Sequence, residues 1–338
     1  MRKKIECPFC DGTAILHLEA KEITYRKDVF KIVAHFYKCE KCQEEFTTTE
    51  ADTISLAQVH NQYREKNNIP FPDEIADIRQ KYELSASKMS EVLGLGANGY
   101  SNYENGEIPT PAYGNLISAA AEPHTFKNLL DKAKEHFSEN AFKKARERVI
   151  YLIQTADKNK NLCATLNVYS EANNFTGYRK LEPAKIANLV TYYIQHSKPD
   201  FNDKLKLNKQ LFFTDFTHYK NYGTSISGLS YRAIKYGPVP ANYDNIYAYL
   251  ENEQLISSQF LKMPNGGARE VLLSEADFDK NLFTSQEKET IETIIERFAN
   301  IPTWDIVELS HLEKAWKELE ANRKLIGYQD YAFELKAL

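Results

Sequence analysis

LNKQLFFTDFTHYKNYGTSISGLSYRAIKYGPVPANYDNIYAYL, from Leu207 to Leu250, is the stretch on which the fold turns. Leu207, Leu211, Phe212, Phe216 and Tyr219 recur at helical spacing. A Gly/Ser/Thr loop follows, then a second aromatic run at Tyr231, Ile234 and Tyr236. Gly237-Pro238-Val239-Pro240 predicts a corner, and Tyr243, Tyr247 and Tyr249 mark a tyrosine-rich helix through Leu250. The stretch contains no nucleotide-binding loop, catalytic triad or metal spacing. Tyr and Trp combine a large ring with a polar handle and are enriched at binding hot spots, so the tyrosines predict a partner-binding surface.

Downstream and just upstream, the pattern is mostly helical. Glu182 to His196 is amphipathic, with Ile186, Leu189, Val190, Tyr193 and Ile194 on one side. Leu255–Ser258 and Val271–Leu273 read as strands around a Pro264-Asn265-Gly266-Gly267 hairpin turn. Thr284 and Glu287 have capping-box spacing at the start of a helix that runs to Phe298. Asp305–Leu309 and Ala315-Trp316 close the region. Asp215, His218 and His311 are the residue types of an acid/base set. With no nucleophile or metal partner beside them, helix capping and core hydrogen bonding are the expected roles.

The amino terminus has a different chemistry. Cys7-Pro8-Phe9-Cys10 and Cys39-Glu40-Lys41-Cys42 are two C-x-x-C turns separated by 28 residues. Two such turns together form a tetrahedral four-thiolate site with no position left for water, the pattern of structural zinc. Strands around Ile15–Leu18 and Val29–Tyr37 would carry a turn at each end. His17, His35 and His60 lie off the ligand spacing. Asp52 to Lys66 predicts a helix with Ile54, Leu56, Val59 and Tyr63 inward, and Asn67–Pro72 a linker or hinge.

From Asp73 short helices begin. Ser85 is a candidate N-cap, Gly94 suits a left-handed turn, and Ala97–Gly106 follows as a second helix, the order of a helix-turn-helix. Tyr100 and Tyr103 would anchor that helix, leaving Asn98, Ser101 and Asn102 to face bases, with Lys88 on phosphate. Between Asp73 and Glu122 stand three basic residues (Arg79, Lys81, Lys88) against eight acidic ones. Phosphate neutralisation by this segment is therefore weak, and a docking or dimerisation role competes with DNA binding. Thr125 to Gln154 is helical by period, with Ser138 and Asn140 allowing a break, and its Lys143, Lys144, Arg146 and Arg148 form a basic group. Asp157 to Gly177 reads as polar and irregular, with Cys163 a buried small residue.

The whole chain has 338 residues, 42% hydrophobic and 27% charged, with net charge −4. This supports several packed domains and excludes a strong global attraction to nucleic acid or anionic membrane. No apolar run approaches the roughly 20 residues of a membrane helix, and MRKKIECPFC is not a signal peptide. With four of five cysteines in paired turns, a reducing, cytoplasmic setting is expected.

Two resemblances add to this reading. Ala97-Asn98-Gly99-Tyr100-Ser101-Asn102-Tyr103-Glu104-Asn105-Gly106, behind a four-cysteine ribbon, resembles the MqsA-type antitoxins over roughly residues 5–122. That likeness implies a lambda-repressor-like helix-turn-helix and operator binding through Asn98 and position 102. The family usually has Arg at the latter, where this chain has Asn102. Leu207–Tyr219, Ser227–Pro240 and Leu309–Trp316 resemble, in order, three motifs of the SocA-like or Panacea antitoxin domain, over about residues 183–320. One departure is Gln210, where that family has Leu. This likeness implies a mostly helical domain that neutralises a protein toxin or, in one branch, presents it to a protease.

The expected architecture is a mainly α multidomain chain: zinc ribbon with its following helix (1–68), helix-turn-helix (69–122), helical connector (123–182) and SocA-like domain with a β-hairpin (183–338). The expected function is that of a non-enzymatic type II antitoxin, a homodimer that holds structural zinc, binds a cognate toxin and represses its own operon. Asp215, His218, Tyr219, Tyr231, Tyr236 and Tyr243 are the expected toxin contacts. A transcription regulator with a sensing domain and a proteolytic adaptor are the competing readings.

Overall fold

A computed structural model of the chain describes residues 1–166, 171–262 and 267–338, the helix end 155–166 as backbone only. The amino-terminal half contains β1 (Lys4–Glu6), β2 (Thr13–Tyr25), β3 (Asp28–Cys39), β4 (Glu45–Phe46), α1 (Thr49–Asn67), α2 (Pro72–Lys81), α3 (Ala86–Leu93) and α4 (Gly99–Glu104). Next come α5 (Pro111–Ala120), α6 (Pro123–Lys132), α7 (Glu139–Leu166), α8 (Pro183–His196) and α9 (Lys204–Tyr222). The remainder is β5 (Tyr231–Ile234), β6 (Gly237–Pro240), α10 (Tyr243–Asn252), β7 (Ile256–Lys262), β8 (Ala268–Ser274), α11 (Ser285–Phe298), α12 (Thr303–His311), α13 (Lys314–Leu319), β9 (Leu325–Ile326) and α14 (Tyr328–Tyr331). The chain is mostly helical, with small sheets and a four-cysteine cluster.

The residues form two compact units. One contains 1–22, 31–58 and 166–338, and the other 23–30 and 59–165. In the first, β1 to β4 form a sheet in sequential order, and β1–β2 and β3–β4 pair antiparallel. The carboxy-terminal residues of this unit are built around α9. Every residue from Lys206 to Tyr219 is buried, so this helix has no solvent face. Asp203 caps its start by accepting from the Lys206 N–H, and Gly223 ends it in the left-handed region at φ 78°. Helices α8, α11 and α12 and strand β6 pack around it.

The Gly237–Pro240 stretch is a strand rather than the expected corner. It pairs antiparallel with β5, Tyr231 opposite Pro240 and Ile234 opposite Gly237, and β9 lies on the other side of β5. Two prolines are tolerated because β6 is an edge strand with a single neighbour. Gly237 has φ +92°, and a Cβ there would lie 2.3 Å from Ser310 Oγ and 2.6 Å from Lys209 Cε. Only glycine lets this edge approach α9 and α12 so closely.

The β7–β8 hairpin runs in register from Ile256↔Ser274 to Lys262↔Ala268. Most of its predicted turn, Pro264 to Gly266, lies outside the described residues. The capping box at α11 is formed: Thr284 Oγ1 accepts from Glu287 N and the Glu287 carboxylate from Thr284 N. In α1, Ile54, Val59 and Tyr63 are buried as expected, but Leu56 is half-exposed.

The second unit has its own core, in which Ile75, Met89, Tyr100, Ile117, Phe126, Leu130 and Val149 are all buried. Tyr82 stacks on Phe126 at 3.8 Å, and its hydroxyl donates to Ala120 O. Ser85 caps α3, and Gly94 turns the chain at φ 66°. The Asn67–Pro72 stretch is packed rather than an open hinge, because Ile69 and Phe71 are buried. Buried Arg64 donates to Gly106 O at 2.7 Å, and Arg26 donates to Tyr63 Oη and Ile108 O, joining α1 to the loop after α4. Helix α7 continues to Leu166, where an irregular segment was expected from Asp157. No Gly or Pro interrupts Glu139–Leu166, so nothing in the chain breaks the helix. The side chain of Cys163 lies outside the described residues.

Candidate functional site

The two cysteine turns meet. Cys7 N–H donates to Gly12 O across the first turn, and Cys39 N–H donates to Glu44 O across the second. A Cβ on Gly12 would fall 2.7 Å from Lys41 Cβ and 2.8 Å from Cys39 Sγ, so glycine allows the turns to close on one another. The Sγ atoms of Cys7, Cys10, Cys39 and Cys42 lie within 4.8 Å of each other. Cys7–Cys42 is 3.7 Å and Cys10–Cys39 is 3.5 Å. A tetrahedron with metal–sulfur bonds of roughly 2.3 Å sets its sulfurs roughly 3.8 Å apart, so the donor set fits zinc. Backbone N–H groups of Phe9, Lys41 and Cys42 point at sulfur. The Cys42 N–H first, then that of Lys41, pull the Cys39 thiol down to about 6 despite opposing desolvation. The core beneath is only Cys7, Ala14, Tyr37 and Cys39, with Ile5, Leu16 and Phe46 around it. With a core this thin, a metal ion bound by the four cysteines would hold the two turns together.

On the α3–α4 segment, Asn98 and Asn102 are exposed and Ser101 is half-buried. Asn105 Nδ2 donates to Ser101 O and lies 3.4 Å from its hydroxyl. Lys88 is engaged by Glu91, donates to His136 O and lies over the Phe137 ring. Arg79 pairs with Glu104 at 2.6 Å, and Lys81 donates to Ala121 O. All three cations of this segment therefore have partners within the chain. Lys143 and Lys144 on α7 are exposed.

In the Leu207–Leu250 stretch, Asp215 is the hub. Its carboxylate accepts from Ile226 N at 2.8 Å, Ser227 N at 2.9 Å, the Ser227 hydroxyl, and Tyr231 Oη at 2.7 Å. Burial pushes its pKa up, and these donors oppose that shift. His218 Nδ1 lies 3.0 Å from Thr290 Oγ1, and Tyr219 Oη donates to Gln329. His311 stacks on Trp316 at 3.9 Å. Asp215 and His218 thus have separate hydrogen-bond partners, and His311 Nε2 is buried without one among the described residues. Lys209 Nζ donates to Pro238 O in the interior, where burial lowers its pKa to about 7.

Residues 5–118 match the family described as the antitoxin component of bacterial toxin–antitoxin systems, MqsA. The chain is 30% identical over 142 residues to antitoxin MqsA of Escherichia coli (strain K12), covering 98% of that protein and 40% of this chain. The chain belongs to the MqsA antitoxin family. Residues 207–317 match the SocA-like antitoxin family, Panacea domain. An MqsA-like module and a Panacea domain thus share one polypeptide. Among the described residues, no helix is long and apolar enough to cross a membrane.

The structure places the expected toxin contacts as follows. Asp215, His218, Tyr219 and Tyr231 are buried and hold the Panacea domain together, because α9 is covered on every side. Tyr236 is exposed and Tyr243 half-buried. The sequence signal for this was partial: Leu207, Leu211, Phe212, Phe213, Phe216 and Tyr219 spread over most of the helix circumference, while Lys206, Gln210, Thr214 and Thr217 share the remaining arc. Missed by sequence reasoning was Trp304, exposed on α12 with its ring edge toward Tyr236 at 6.0 Å between centroids.

Two outcomes follow. Elemental analysis of purified protein is expected to find zinc, and Cys39→Ser or chelation to release it and open the first ~50 residues to protease, while the α9 core stays resistant. The second concerns pH. Burial lowers the His218 pKa to about 3, against about 6.5 in an unfolded chain. Between these values the unfolded state binds a proton that the folded state refuses. The contribution is therefore full above about 6.5 and is lost as pH falls toward 3. Thermal melts of His218→Asn are expected to decline less than wild type between pH 6.5 and 4.5.

Proposed function

We propose that the chain neutralises a cognate protein toxin by direct binding through its Panacea domain and represses its own operon through α3, the Gly94 turn and α4 acting as a helix-turn-helix. The observation that carries this reading is the union of two antitoxin modules in one polypeptide. Zinc on Cys7, Cys10, Cys39 and Cys42 has a structural role: four thiolates leave it no open position, and it closes the two turns. The binding mechanism is occlusion, in which a folded surface covers the toxin's active region. The buried Asp215 and His218 sets fit that role, since each is consumed by hydrogen bonds that hold the scaffold.

Operator binding would place Asn98 and Asn102 at base edges, with a homodimer reading two half-sites about one DNA turn apart. Phosphate contacts would fall to the exposed Lys143 and Lys144, since Arg79, Lys81 and Lys88 have internal partners. That engagement of the cations favours a second reading for this segment alone, a docking or dimerisation module that leaves DNA unbound.

Co-expression of the toxic gene adjacent to this chain's gene is expected to be tolerated with the full chain and with residues 160–338. Rescue by residues 1–70 alone would move toxin binding to the ribbon, and rescue only in hosts retaining a protease would make the chain an adaptor. For the operator, a mobility shift on the DNA upstream of the chain's own gene is expected at low salt and lost with Asn98→Ala. No shift at low salt would leave α3–α4 as scaffold.

A further inference from the structure

Strand β3 serves two places at once. His35, Tyr37 and Cys39 alternate on one face of it, and all three are buried. Cys39 closes the second cysteine turn, and Tyr37 lies in the thin core beneath the four sulfurs. His35, further back along the strand, meets the Phe333 ring edge-on at 5.4 Å. Val33, just before it, is gripped by Gln58 of α1. Gln58 Oε1 accepts from Val33 N and Gln58 Nε2 donates to Val33 O, both at 2.8 Å.

Both positions lead to the same residue of α9. The Gln58 Oε1 that holds Val33 also accepts from Gln329 Nε2 at 2.8 Å, and Gln329 Oε1 accepts from Tyr219 Oη at 2.8 Å. Phe333 meets Tyr219 as well as His35, at 5.9 Å between centroids. One route is hydrogen-bonded and the other is made of rings, and each crosses from the ribbon to Tyr219. Gln58, Tyr219 and Phe333 are all buried. The Ala332–Glu334 turn packs on α9, and Lys220 donates to Leu335 O at 3.1 Å beside it.

The ribbon is the part of this arrangement that can change state. Its own core is too small to hold the two cysteine turns without a metal ion, so metal loss costs the ribbon its fold. Val33 and His35 lie on the strand that ends at Cys39. Their release would strip Gln329 of its Gln58 acceptor and uncover Phe333, both at a cost in free energy. By linkage that cost acts in both directions: the metal-bound ribbon fixes the turns at Gln329 and Phe333, and those turns favour the metal-bound ribbon.

We propose that the ribbon is a metal-dependent clamp on the carboxy-terminal turns that close over α9. Val33 and His35 act through Gln58–Gln329 and Phe333, so metal binding at the cysteines and order in residues 325–335 rise and fall together. The inference rests on the reading of the four cysteines as a metal site and adds to its structural role a hold over residues outside the ribbon.

The test uses the full chain, loaded with zinc and then stripped by a chelator, and reads hydrogen exchange by mass spectrometry. Peptides covering residues 325–335 are expected to exchange about tenfold faster or more without zinc, while those covering Lys206–Phe216 keep their protection. The reverse direction is read as zinc affinity, by competition with a chromogenic chelator. Gln329→Ala and Phe333→Ala, both far along the chain from the cysteines, are each expected to weaken zinc binding by about tenfold. Ile256→Val, in the buried start of β7, lowers stability away from these contacts and is expected to bind zinc as wild type. Thermal melts check folding, and if Phe333→Ala fails to fold, Gln329→Ala decides. Zinc bound by wild type with unchanged exchange at 325–335, or with unchanged affinity in both variants, overturns the clamp and leaves the metal site intact. A loss in Ile256→Val equal to that in Gln329→Ala also overturns the clamp. A wild-type chain that binds no zinc overturns both.

Discussion

Burying a helix on every side presses its polar groups to find partners inside the protein, and α9 meets most of that demand, with Gln210 Oε1 and Thr217 Oγ1 left unpartnered among the described residues. Asn208 accepts from Tyr247, Lys209 reaches Pro238 O, Thr214 meets Tyr193, and Asp215 gathers the loop from Ile226 to Tyr231. A buried carboxylate without such donors would be strongly destabilising. With them, Asp215 fixes where β5 begins, β5 fixes the β6 edge, and β6 lies against α12. The packing of β6 against α12 is thus set from the inside, by a buried hydrogen-bond hub.

Such a core also explains why the richest chemistry in the sequence is the least exposed. Two groups that resemble catalytic parts are consumed by the scaffold, Asp215 by four donors and His218 by Thr290, while His311 stacks on Trp316 with its Nε2 unpartnered among the described residues. On the exposed side of α12 stand Trp304, Asp305 and Glu308.

Features decided by local geometry were legible in the sequence. The cysteine spacing, the Ser85 cap, the Gly94 turn and the Thr284–Glu287 box each depend on a few neighbouring residues, and the structure forms all of them. Features decided by what covers an element were not. Whether α9 keeps a wet face depends on α8, α11, α12 and β6, which lie elsewhere in the chain. The Gly237–Pro240 strand was hidden for a related reason, since two prolines argue against a strand until its edge position is known. Trp304 lies one residue before the Asp305–Leu309 segment marked in the sequence, and the pattern there does not say which side is covered. Only the observed burial separates Ile306 and Val307, inside, from Trp304 and Leu312, outside.

The cysteine ribbon and the carboxy-terminal residues share one compact unit. Gln58 accepts from Gln329 at 2.8 Å, and the His35 ring meets Phe333 edge-on at 5.4 Å. The ribbon has thus been fitted to the last turns of the chain. A substitution at His35 or Gln58 in the ribbon would therefore be felt at Phe333 or Gln329, some 270 to 300 residues away along the chain.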